Sequence, residues 1–325
     1  MRRLLCALLV LPAFLVTSCS QDADRSAAPS TTVASTRPEG AGGSTTEPDE
    51  SSTPKPPPGP LADQTAPDTI NGIAVQGDTI WVASIAGDVV LQVDRSNGAI
   101  LARYDTEGAG PDDVAVAPDG SVYCTGFVSG VLGRIKDGSY RKVADVEPQI
   151  NGIAVAPDGT VFAATIHMAS PAADGALYRI DAGTGDVERV AEGLNLVNAF
   201  EYDRSTKTIL APAGPLESPR VVRIDPSNGK VDTVVKGLPI VQAVTWRPDG
   251  RLVALANVTG EILEIDMEAK TSEKVATVSE GAPFDNLSFA TDGTLYLSSF
   301  TAPTITEVRP DGTTRIIEIG KGTSG

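Results

Sequence analysis

Six times between residues 70 and 289 the chain returns to one pattern: a lead-in residue, an amide or carboxylate side chain, a third residue, and a short apolar strand. It begins with Ile70-Asn71-Gly72-Ile73-Ala74-Val75, Pro111-Asp112-Asp113-Val114-Ala115-Val116 and Ile150-Asn151-Gly152-Ile153-Ala154-Val155. It continues with Val197-Asn198-Ala199-Phe200-Glu201-Tyr202, Val241-Gln242-Ala243-Val244-Thr245-Trp246 and Phe284-Asp285-Asn286-Leu287-Ser288-Phe289. The second residues are spaced by 41, 39, 47, 44 and 43 positions. A period of that size corresponds to one four-stranded propeller blade, roughly 40 to 50 residues.

Turn chemistry recurs in phase with the pattern. Asp119-Gly120, Asp158-Gly159, Asp249-Gly250 and Asp292-Gly293 follow the first strand of their repeats, with Gly77-Asp78 and Asp203-Arg204-Ser205 in the other two. Tight hairpins need residues that tolerate positive φ at such points. A second turn signal comes later, at Asn97-Gly98, Asp137-Gly138, Gly183-Thr184-Gly185, Asn228-Gly229 and Asp311-Gly312, and is weakest at Glu268-Ala269-Lys270. Short runs between them, such as Val161-Phe162-Ala163-Ala164 and Ala176-Leu177-Tyr178-Arg179-Ile180, read as strands. The prediction is an all-β domain over 67–321, a six-bladed β-propeller with four-stranded antiparallel blades. A single unit could not cover both faces of its sheet, whereas a ring of them does.

This topology puts both tight turns of a blade on one rim and the remaining loops on the other. Asn71, Asp112, Asn151, Asn198, Gln242 and Asp285 begin the innermost strands, so they should ring the mouth of the central channel. All six carry oxygen donors. Two readings are open: a ligand or metal site, or six side chains that each cap their own loop by bonding nearby backbone.

Longer loops share that rim at 165–174 and 211–219, where specificity commonly resides. His167, the single histidine, is expected beside the mouth as an acid, a base or a polar contact, or else as an ordinary loop residue. Trp81, Trp246, Tyr123, Phe162 and Tyr296 fall on strands and read as core between blades. Cys124 lacks an intramolecular partner in the folded region and reads as a small buried hydrophobe.

The first residues have another character. Arg2-Arg3 precede an apolar run of secretory length, and Val16-Thr17-Ser18-Cys19 resembles the bacterial lipobox. Residues 1–18 then form a lipoprotein signal peptide and Cys19 is the lipidated start of the mature chain. Its acyl chains would hold the protein on the extracytoplasmic face of the cell membrane, each buried methylene contributing about 0.8 kcal/mol. Residues 19–66 are rich in Ser, Thr, Pro and Gly, with too little apolar surface to offset ordering entropy, and are expected to be a disordered tether. The formal net charge of -16 excludes nucleic acid as a partner, since that binding needs clustered Lys and Arg.

Ile150-Asn151-Gly152-Ile153-Ala154-Val155-Ala156-Pro157-Asp158-Gly159 resembles the senescence marker protein, gluconolactonase and luciferin-regenerating enzyme family, six-bladed propellers that carry a Pro-Asn-Gly-aliphatic-Ala stretch ending in Pro-Asp-Gly. The repeat as a whole is also similar to NHL-repeat and strictosidine-synthase-like propellers. The resemblance implies a divalent cation in the channel mouth, held by a Glu, an Asn and an Asp, with the Asp acting in hydrolysis. Asn151 takes the asparagine place. The other two places do not carry over: Asn71-Gly72-Ile73 stands where the family has Glu-Gly-Pro, and Asn198 where it has Asp. Neutral amides weaken a hard-cation site. Asp112 and Asp285 return two carboxylates to the ring, so a rearranged Ca²⁺ or Mg²⁺ site built from Asn151, Asn198, Asp112 and Asp285 remains open. A His-rich zinc hydrolase is excluded by the histidine count.

Two functions follow. One is a metal-assisted hydrolase of a small lactone or sugar-like substrate, with Asp112, Asp285 and His167 as candidate catalytic groups and Asn71, Gln242 and His167 as ligand contacts. The other is a non-catalytic propeller that binds a small-molecule ligand, an envelope glycan or a protein partner. Fold alone does not choose between them.

Overall fold

The computed structural model describes residues 65–167 and 174–321. The expected signal segment, Cys19, the expected tether as far as residue 64, and residues 168–173 of the blade-three loop lie outside the described residues.

The described chain forms six sheets, each built from four strands consecutive in sequence and hydrogen-bonded in chain order. The innermost strands are Ile73–Gln76, Pro111–Val116, Ile150–Val155, Glu201–Asp203, Ala243–Trp246 and Phe284–Phe289. The outermost are Ile100–Asp105, Ser139–Asp145, Val187–Leu194, Lys230–Lys236, Thr271–Thr277 and Thr314–Glu318. Every pairing within a blade is antiparallel. No blade borrows a strand from another, so the ring closes by packing of blade one against blade six. Ile70, Ile80 and Leu91 meet Tyr296, Ile305 and Ile317 there, and Gly320 N donates to Gly98 O at 2.8 Å.

The hydrophobic core is distributed as six clusters, one at each interface between neighbouring blades. This explains a departure from simple alternation. The second strands Val122–Gly126, Val161–Thr165, Thr208–Ala213, Leu252–Ala256 and Leu295–Ser299 are buried along their whole length, because a blade lies against each face. The outer strand Thr271–Thr277 is exposed throughout. Tyr123, Phe162, Tyr296 and Trp81 belong to the clusters and Trp246 packs against one, as the sequence indicated. Cys124 is fully buried and unpaired, and burial pushes its thiol up to about 12, so it is inert near neutral pH.

The turn residues take the predicted geometry with one refinement. In Ala117-Pro118-Asp119-Gly120 only the glycine has positive φ (78°), and its N–H bonds Ala117 O at 3.0 Å, a turn closed by a glycine bulge rather than a two-residue hairpin. Asp137-Gly138 is a true two-residue turn with both φ positive, 51° and 74°. In the weak fifth repeat Lys270 holds the glycine-like position at φ 58°.

Candidate functional site

The innermost strands approach one another at the axis closely enough for backbone contact. Gly72 N donates to Asp112 O at 2.6 Å and Val244 N to Ala199 O at 3.1 Å. Side chains at the heads of neighbouring strands are thereby brought within reach of one another across blade boundaries.

Four of the six predicted mouth residues are joined in this way. Asn71 Nδ2 donates to Asp285 Oδ2 at 3.1 Å, and Asn151 Nδ2 donates to Asp112 Oδ2. The two pairs form one arc over blades six, one, two and three. Asn71 Oδ1 is fixed in turn by the N–H of Ile85 at 3.1 Å. Asn198 behaves otherwise: its Oδ1 accepts from the N–H of the next residue, Ala199, at 2.7 Å, so it caps its own loop. Gln242 is half-buried and its backbone N–H bonds Leu255 O at 2.9 Å.

A second polar layer, not read from the sequence, lies one residue further along. Asn286 Nδ2 donates to Asp113 Oδ1 at 2.8 Å, linking blade six to blade two across blade one. The link exists because blade one has glycine at that place: a Cβ on Gly72 would stand 2.7 Å from Asp113 Oδ1. Asp113 Oδ1 also accepts from Val114 N at 2.8 Å, and Thr125 Oγ1 accepts from Asp113 N at 3.1 Å while donating to Asn151 O. Further along, Glu201 of blade four accepts from Thr245 Oγ1 at 2.7 Å. The available signal was the alternation itself: in the repeats the third and fifth positions hold Asp113, Asn286, Glu201 and Thr245 where an ordinary core strand would be apolar.

These carboxyls are buried close to one another, and only Glu201 has a cation, Arg204, acting on it. Burial raises Asp112 well above the ordinary range, and the nearby charges of Asp285 and Asp113 add to it, against the Asn151 bond. Asp285 is raised to about 6 by burial, opposed by Asn71. Asp113 is raised to about 8 and Glu201 to about 7, again chiefly by burial. Carboxyls held neutral near physiological pH can donate as well as accept protons.

His167 lies elsewhere. Its Nδ1 is 3.2 Å from Asp174 Oδ1 and its Nε2 is 3.8 Å from Glu147 Oε1. Glu147 also takes the hydroxyl of Tyr178 and the guanidinium of Arg189, which belong to the third and fourth strands of blade three. The histidine is therefore drawn outward to this ion-pair cluster rather than to the axial carboxyls, in contrast to the expectation of a mouth residue.

The donor arrangement does not suit a divalent cation. Among the described residues no three His, Cys, Asp or Glu side chains converge on a common point. Asn71 and Asn151 turn their NH₂ groups, not their oxygens, toward the carboxylates, and the Asn198 oxygen is occupied by backbone. For Asn71 and Asn151 to serve as ligands of a Ca²⁺ or Mg²⁺ ion both amides would have to turn over, and for Asn71 that breaks the bond from Ile85.

Comparison with known proteins agrees with this architecture. Residues 114–214 match the SMP-30/Gluconolactonase/LRE-like region, a span that includes Asn151 and Asn198 but not Asn71, Asp112, Gln242 or Asp285. No curated protein matches the sequence. Among solved structures, a streptogramin B lyase superposes with TM-score 0.59 at 15% identity, covering 80% of this chain and 85% of that one. The calcium-binding protein regucalcin of Agrobacterium tumefaciens gives 0.59 at 15% identity over 79% and 92%. A gluconolactonase of Xanthomonas campestris gives 0.58 at 15% identity over 73% and 85%. At such identities the superpositions establish the fold. This chain is a six-bladed β-propeller whose residues 114–214, from the second blade to the second strand of the fourth, match the SMP-30/Gluconolactonase/LRE-like region.

Proposed function

We propose that the chain is a lipid-anchored, extracytoplasmic hydrolase that opens a small lactone or sugar-like ester at the mouth of the propeller axis. The observation that carries this reading is the arc of Asp112 and Asp285, each held by an amide of the adjacent blade and each raised toward neutral pH. Two carboxyls whose environments separate their protonation divide naturally into acid and base.

In this arrangement the ionised Asp285 takes a proton from water as the water oxygen bonds to the acyl carbon. The acyl–oxygen bond breaks, and neutral Asp112 delivers its proton to the departing oxygen, which leaves as the alcohol of the open hydroxy acid. Proton exchange with solvent restores both groups. Asn71 and Asn151 orient the two carboxyls.

The test is turnover of simple lactones by the purified chain. Asp112→Asn and Asp285→Asn should each lower kcat by about 10²–10⁴-fold while the chain still unfolds in a cooperative melting transition. Activity in the parent should fall on the acid side as Asp285 protonates near pH 6. Chelation with EDTA should leave the rate unchanged, given the amide orientation. Undiminished kcat in both variants would remove the reading, and loss of activity on chelation would show that the amides turn over to bind a cation.

The anchor is tested separately. Cys19→Ala should move the protein from the membrane fraction to the soluble fraction, because one residue carries the acyl chains. Retention in the membrane fraction would sink that part of the proposal.

A further inference from the structure

In blade four Gly214 N donates to Asn195 O at 2.8 Å, and in four other blades the residue following the second strand is likewise tied by its backbone N–H to the segment or side chain heading the mouth. Ile85 N donates to Asn71 Oδ1 at 3.1 Å, Phe127 N to Gly110 O at 2.9 Å, Ile166 N to Gln149 O at 3.1 Å and Phe300 N to Pro283 O at 3.0 Å. These belong to blades one, two, three and six, the same four that supply the arc of Asn71, Asp112, Asn151 and Asp285. All four residues are apolar. In blades four and five, which take no part in the linked arc, the equivalent residues are Gly214 and Asn257. The apolar collar and the carboxyl arc therefore coincide in angular position around the axis.

The collar is partly open. Ile85, Phe127 and Phe300 are half-buried, and Val128, next to Phe127, is 59% exposed. Val128 and Ile85 lie over Gly110, two residues before Asp112: a Cβ on Gly110 would stand 2.5 Å from Val128 Cγ2 and 3.6 Å from Ile85 Cγ2. Gly110 has φ of 58°. Two branched side chains thus close over a glycine in a conformation that other residues adopt at a cost, leaving apolar surface directly beside a polar site. Pockets for small organic ligands have this composition, with apolar walls and a few convergent polar groups.

We infer that the ligand of this mouth bears an aliphatic or aryl substituent, seated on Ile85, Phe127, Val128 and Phe300 while its polar end meets Asp112 and Asp285. The substrate class is then an alkyl-substituted lactone or ester rather than a fully hydroxylated sugar lactone. That the polar end is an ester rests on the hydrolase proposal; the apolar subsite does not.

The experiment uses the full chain in detergent and a series of γ-lactones with n-alkyl substituents from methyl to octyl, with gluconolactone for comparison. Each added methylene that reaches the collar should raise kcat/KM by about fourfold, and gluconolactone should be a poorer substrate. Val128→Ser and Phe127→Ser should flatten the dependence on chain length. Val258→Ser, at a 63% exposed position in the corresponding loop of blade five, should leave it intact. Turnover of every lactone at a rate independent of chain length overturns the apolar subsite and leaves the hydrolase intact. If no lactone is turned over, the hydrolase proposal fails, and calorimetry with the matching γ-lactams decides the subsite. Affinity that grows with chain length and loses that growth in Val128→Ser supports it, and equal or absent binding overturns it.

Discussion

Raising the pH from about 5 to about 9 is expected to destabilise the propeller by several kcal/mol, with the decline steepest below about pH 6 and complete by about pH 8. Asp113 is raised to about 8, Glu201 to about 7 and Asp285 to about 6, with Asp112 also well above its ordinary value; in each case burial is the leading cause. In the unfolded chain these groups ionise near pH 4. Between the two ranges the folded state holds more protons, so stability is fully present below the unfolded values and falls as pH rises through the folded ones. A full shift at Asp113 alone sets an upper bound on the order of 5 kcal/mol, about 1.4 kcal/mol for each unit. Thermal melts across this range should show the decline. Asp113→Asn keeps an oxygen for Asn286 and Val114 and removes the ionisation, so it should raise the melting temperature at about pH 9 by roughly 5 °C or more. An unchanged pH profile in that variant would mean that the axis is wet enough for Asp113 to stay ionised.

Gly72→Ala is expected to be more damaging than a glycine change at an open hairpin turn such as Gly120. Its added methyl would stand 2.5 Å from Asp113 Cα and 2.6 Å from Asp112 O, and those are backbone atoms that cannot swing aside. Blade one would have to retreat from blade two. That breaks the Gly72 to Asp112 backbone bond at 2.6 Å and pries apart the Asn286–Asp113 pair beneath it. The expected cost is about 2–5 kcal/mol, within the range for overpacking at a buried contact combined with lost hydrogen bonds. Gly120→Ala is the control: φ is 78° but nothing stands within 4 Å, so only the backbone penalty of about 1–2 kcal/mol applies. Equal melting shifts for the two variants would show that the closeness of blades one and two is not what Gly72 provides.

Much of the architecture was legible because a propeller is written locally. Each blade is contiguous, its turns carry their own conformational signals at Gly120, Gly138 and Gly159, and the period recurs six times. The conserved geometry of the repeat also located the heads of the innermost strands, so Asn71, Asp112, Asn151 and Asp285 could be named as neighbours of the axis. Which of them touch was not legible. Asn198 stands at the same place in its repeat and bonds its own backbone instead, and His167, in a mouth-side loop, goes outward to Glu147 and Asp174.

The chain alone determined the number of blades, the order of their strands and the ring of amide and carboxylate side chains, because hairpin turns and strand periodicity depend on residues close together in sequence. The tertiary structure alone decided the partners of those side chains. The Asn286–Asp113 bond joins residues 173 positions apart and depends on the missing side chain of Gly72, which lies between them. The protonation of Asp112, Asp113, Asp285 and Glu201 likewise depends on water being excluded by blades that meet only when the ring closes.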